Sequence, residues 1–179
     1  MASPQTLSEA ERRTVAAWAA DCAQRVLPFF EAEAPGDRRP YDAITRTRAF
    51  ARGELDVAEQ IRRRFAGGGA AHGVSPAAAA AARAAGQASA IPHMGAHALA
   101  AAAYAAKAMR LAAPAHPEAV SEEIDWQLAS MSDEVRAALR KLPPVGENRS
   151  GPLGPGLLAS GMLGAIIRDL QAELAGTDR

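Results

Sequence analysis

Large aromatic side chains are scarce in this chain: 179 residues carry four Phe, two Tyr and two Trp. Such a composition cannot fill a core with bulky rings, so helices faced with small residues would have to pack close, with Trp18 and Trp126 as wedges. Cysteine is reduced to Cys22, which excludes an internal disulfide, and the N-terminal MASPQTLSEAERR lacks the apolar stretch of a secretory signal. A reducing cytoplasm is the expectation, and the sequon Asn148-Arg149-Ser150 would matter only in a glycosylating pathway. Net charge is also lacking, since 20 Lys+Arg balance 20 Asp+Glu. No global field draws the chain to nucleic acid or to an anionic membrane. Lysine is nearly absent: only Lys107 and Lys141 are not arginine among the basic residues, a bias that goes with the alanine excess and reads as genome composition. Long apolar runs are missing too, because Arg83, Gln87, His93, His97 and Lys107 interrupt the alanine-rich region, so no membrane span is expected.

Strand signals are absent: no hairpin dipeptide sits between alternating segments. Without strands there is no phosphate loop of the strand-to-helix kind. No GxSxG elbow, HExxH or ferritin-like ExxH pair occurs either, so no cofactor and no metal are called for. Helices two and three, with Arg46, Arg48, Arg52 and Arg62 to Arg64, are locally basic. The neutral total, the lack of interleaved aromatics and the absence of a helix-turn-helix or zinc signature nevertheless argue against nucleic acid.

What is present is helical spacing. Ser8 before EAERR is an N-cap for a helix running to about residue 30, with Val15, Trp18, Ala19, Cys22, Val26 and Phe29 or Phe30 inward. PGDRRP stops it. A second helix is expected over 41–52 and a third over 54–65, ending at the glycines 67–69. Ser75-Pro76 opens a fourth, and Pro92 sits where a fifth begins or where one rod bends. Pro117 and Ser132 open the last two before Pro143. The fold class is therefore all-α, an Ala-rich bundle of about six helices over 1–142. An extended Pro/Gly linker over 143–156 and an amphipathic helix over 157–179 follow. Leu157, Leu158, Leu163, Ile166, Ile167, Leu170 and Leu174 make an apolar stripe on that helix that has to be covered, by its own domain or by a second copy. A homodimer through 157–179 is the reading favoured here.

If the fifth helix starts at Pro92, His93, His97, Tyr104 and Lys107 recur at steps of four or three and share one face. That face is either the wet side of a surface helix or a site. As a site, His93 or His97 would act as general acid or base, Tyr104 as donor, and Lys107 or Arg46 would hold an anion. Asp42 with Arg46, and Asp21 with Arg25, have the spacing of intrahelical ion pairs. Glu122, Glu123 and Asp125 beside Trp126 read as the solvated N-terminal half of a helix. Cys22, on the apolar side, reads as inert packing.

WAADCAQRVLPFFE, RRPYDAI, AARAAGQASAIPHMGAHALAAAAYAAKA and DWQL together resemble a family of small all-helical bacterial proteins, common in actinobacteria and classed as putative immunity proteins. The resemblance covers roughly 8–140. It implies a single helical domain that binds and neutralises a protein toxin or effector, and it carries Asp42, Gln87, His93, His97, Tyr104 and Lys107 as the positions of interest. Trp126 joins them as a candidate ligand contact. The glycine break at 67–72 and the segment after 143 depart from the family pattern and leave room for the alternative, a small-molecule binder or biosynthetic enzyme with a His/Tyr pocket.

Overall fold

Ser8 begins the first helix as its sequence context predicts. Its hydroxyl accepts from the Glu11 N–H at 3.2 Å while the Glu11 carboxylate accepts from the Ser8 N–H at 2.8 Å, so two orphan donors are satisfied reciprocally. A computed structural model describes residues 3–58 and 68–176 of the chain. Among these the α-helices are α1 Glu9–Glu31, α2 Arg39–Ala51, α3 Pro76–Ala90, α4 His97–Ala112, α5 Ala119–Ala129, α6 Asp133–Leu139 and α7 Gly161–Gly176. Short 3-10 turns lie at Gly68–Ala71 and Leu157–Ala159, and no strand occurs among the described residues. The expected helix over 54–65, with Arg62 to Arg64, lies for the most part outside the described residues. Ser75 and Ser132 cap α3 and α6 through their hydroxyls, each at 3.3 Å.

The structure separates α3 from α4 and thereby moves the start expected at Pro92. Over 91–96 the chain turns: the N–H groups of Gly95 and Ala96 donate not to the preceding turn but to the carbonyls of Thr6 and Gln5, each at 3.0 Å. An N-terminal arm thus takes up donors that a continuous rod would have used. A Cβ at Gly95 would lie 2.5 Å from Leu7 Cδ1, so the arm can approach only a glycine here.

The core centres on α4, which packs against α1, α3, α5 and α7. Every residue from Ala98 to Ala106 is buried, as is Ala108. A helix enclosed on all sides has no polar face, and alanine lets four neighbours approach it closely. This corrects the expected polar row. Tyr104 is 4 % exposed and Lys107 is half-buried, while His93 lies in the turn before the helix, exposed. Trp18 is buried as expected, its indole N–H donating to the Gln127 carbonyl at 3.0 Å.

The segment 143–156 is stitched to the body. Gln171 on α7 accepts from the Val145 N–H at 3.0 Å and donates to the Pro143 carbonyl at 2.9 Å, and the Gly146 N–H reaches the Leu153 carbonyl at 2.8 Å. Gln5, fully buried, donates to the Ser150 carbonyl at 2.6 Å and accepts from the Leu153 N–H at 2.9 Å. Leu163, Ile166, Ile167, Leu170 and Leu174 of α7 are buried against the same chain, chiefly α4. Leu157, expected in that stripe, is instead 69 % exposed on the 3-10 turn. The apolar face that motivated a homodimer through 157–179 is thus covered within one chain.

Candidate binding surface

The residues singled out by sequence do not come together in one place. His93 stands alone on the 91–96 turn. His97, at the start of α4, shares a hydrogen at 2.7 Å between its Nδ1 and the Gln87 Oε1 of α3. Because an amide oxygen only accepts, Nδ1 carries the proton. Gln87 and Tyr104 border one cavity, whereas Lys107 is not among its lining residues. Asp42 and Arg46 sit on α2, and Asp42 pairs with Arg38 at 3.8 Å. Arg38 also lies over the Tyr41 ring, 4.5 Å from its centroid.

Trp126 belongs to a different group, one that sequence reasoning largely missed. Asp21 does not pair with Arg25, as its spacing suggested, but with Arg48 of α2 at 2.8 Å. Arg25 instead crosses to α5, where its Nε lies 3.0 and 3.3 Å from the two oxygens of Glu123, and its guanidinium stacks 3.9 Å above the Trp126 ring. The Glu123 side chain is fully buried, against the expectation of a solvated acidic cluster, because α5 turns it under Arg25 and toward α4. Gln127, also fully buried, donates to Glu123 at 3.2 Å and to the Ala102 carbonyl at 3.1 Å. Burial pushes the Glu123 carboxyl above the ordinary carboxylate value, and the Arg25 hydrogen bond and charge pull against it. The i,i+4 pair Glu123 and Gln127 flanking Trp126 is the one sequence signal that could have raised this cluster.

Beside it opens a cleft of about 280 Å³ between α1, the end of α4 and α5. Arg25, Phe29, Met109, His116, Glu122 and Glu123 are among the side chains around it. Its rim is polar: the exposed His116 Nε2 lies 2.9 Å from Glu122, whose hydrogen bond and charge raise the imidazole pKa above 6.5. Cys22 lies fully buried near the cluster, and burial, followed by the Glu123 charge, raises its thiol well above the usual range. A thiol so placed is unreactive. Among the described residues no group of three metal-ligating side chains occurs, and no helix is long and apolar enough to cross a membrane.

A family model described as Imm-5 like putative immunity protein matches residues 5–134. The chain belongs to that family. The match takes in the N-terminal arm and every element from α1 into α6, so the Imm-5 like portion contains Arg25, Trp126 and the whole cleft, while 143–176 lie beyond it. No curated protein and no solved structure matches the chain.

Proposed function

We propose that the protein is a cytoplasmic, immunity-like binding protein that recognises and neutralises a protein toxin or effector, with the α1/α5 cleft as its contact face. The observation that carries this reading is membership of the Imm-5 like family over a span that builds the cleft completely. The composition of the face supports it. Partly exposed Phe29, Met109 and Arg25 around the cleft, and Trp126 stacked under Arg25 beside it, are residue types enriched where proteins anchor on one another, and His116 with Glu122 supplies a polar rim. The acid/base alternative has less support, because His93 lies off α4 and does not share a helix face with His97 and Tyr104, although a His97 that donates through Nδ1 to Gln87 keeps its Nε2 as a base.

Co-expression with each candidate toxin product encoded in the same genome tests the proposal. A complex that survives gel filtration and restores growth where that product is toxic is the expected result. Trp126→Ala and the exposed-site Glu122→Lys should each weaken the complex by roughly tenfold or more, as loss of an interface anchor does. Folded variants that bind as tightly as the parent would displace the contact face. Failure of any complex to form would remove the toxin reading.

A further inference from the structure

A second cavity, of about 440 Å³, lies where α3 and α4 meet the segment after 143. One wall is Gln87 and Tyr104; the other is the stretch from Arg149 to Leu158, which the family match does not include. Its volume falls in the range of small-molecule sites, about 300–1,000 Å³. The wall is held in place before any ligand arrives, since the buried Gln5 side chain bonds both the Ser150 carbonyl and the Leu153 N–H. Gly151 has φ +81° and lies so near Gln5 that a Cβ would come within 2.7 Å of Oε1, so the loop seats against the arm only with glycine there.

Each polar side chain on this cavity can donate a hydrogen bond. Tyr104 is 4 % exposed overall, yet its hydroxyl is not an enclosed orphan: it makes no hydrogen bond to a described residue and stays accessible on the cavity side. Burial raises its pKa above 10, so the hydroxyl keeps its proton. The Gln87 oxygen is engaged with His97, which turns the amide NH₂ to other use. Ser150 adds a hydroxyl, and Arg149 adds a guanidinium that pairs with no carboxylate among the described residues. No Asp or Glu lines the cavity, and Leu157, Leu158 and the prolines give it an apolar flank. The geometry points to a binding site for a small organic carboxylate: Tyr104, Gln87 and Arg149 take the anionic group, and the Leu157/Leu158 flank takes an apolar body. This site is separate from the α1/α5 cleft and does not rest on the toxin reading.

Titration of the full chain with benzoate and hexanoate, followed by amide chemical shifts, tests the assignment. Hexylamine and inorganic phosphate serve as the comparison probes. The carboxylates are expected to shift signals of Gln87, Tyr104 and 149–158 saturably, with little response to either comparison probe. Tyr104→Phe, which keeps the ring, and Arg149→Gln, on the exposed loop, should each weaken binding roughly tenfold, the loss expected for one charge-assisted or buried hydrogen bond. Absence of a saturable shift at these positions overturns the site. Equal binding by both variants, or by hexylamine, overturns its donor chemistry, and phosphate binding as tightly as hexanoate overturns the apolar flank.

Discussion

Replacing Arg25 by Met should destabilise the protein far more near neutrality than in mild acid. Glu123 is fully buried and its carboxylate is matched chiefly by Arg25 at 3.0 Å, with one N–H from Gln127. Removing one partner of a buried pair costs about 3–5 kcal/mol. Here the Arg25 side chain is 35 % exposed, so solvent screens part of its charge and about 2–3 kcal/mol is the discounted figure. Loss of the stack on Trp126 adds about 0.5–1 kcal/mol. For a chain of 179 residues each kcal/mol moves the melting temperature by about 2–4 °C, so the variant should melt roughly 5–16 °C lower.

The pH dependence follows from the sign of the Glu123 shift. Its folded-state pKa is raised above 4.5, so the folded protein holds that proton the more firmly. The resulting stability is full below 4.5 and is lost as pH rises through the folded value. Without Arg25 the folded value climbs further and the loss deepens. Urea unfolding at about pH 7.5 should therefore show the full decrement, and at about pH 4 only the stacking loss of roughly 1 kcal/mol. Arg25→Met combined with Glu123→Gln should recover at least about half of the neutral-pH loss, because the buried charge is gone. An equal decrement at both pH values, or no recovery in the double variant, would refute this account of the cluster.

Gln5→Ala should cost about 2–3 kcal/mol, since it strands the Leu153 N–H and the Ser150 carbonyl; amide exchange at Leu153 should accelerate while α1 stays protected. Gly164→Ala puts a Cβ 2.5 Å from the Ala159 carbonyl, a backbone clash expected to cost about 2–3 kcal/mol and to lower the urea midpoint accordingly. The Lys141 ammonium and the Ser8 groups hold the Glu11 carboxyl down to about 2 from 4.5, so its contribution is present above 4.5 and lost as pH falls toward 2. Glu11→Gln should accordingly flatten the acid limb of the stability curve and cost about 0.5–1 kcal/mol near neutrality through the cap.

Much of the helical plan was legible because caps are local. Ser8, Ser75 and Ser132 each act on a backbone N–H three residues ahead, and all three starts lie where the sequence puts them. The boundary before His97 was not legible, because the groups that end the preceding run are the carbonyls of Gln5 and Thr6, far away in the chain. Glu123 looked solvated for the same reason: the partner that makes its burial tolerable is Arg25, 98 residues earlier. His97, Tyr104 and Lys107 do recur with helical period, yet periodicity records only an angle around an axis. It is silent about how many neighbours surround that axis, and α4 has four.

Alanine excess, missing strand signals, Ser caps and the family pattern suffice to specify an all-α chain and its class, since composition and short-range hydrogen bonding decide those. Which side chains became a site was settled by packing. Enclosing α4 buried Tyr104 beneath the 149–158 segment, and crossing α1 with α5 brought Arg25 over Glu123 and Trp126. Those encounters join residues from distant parts of the chain, where no local rule of spacing reaches.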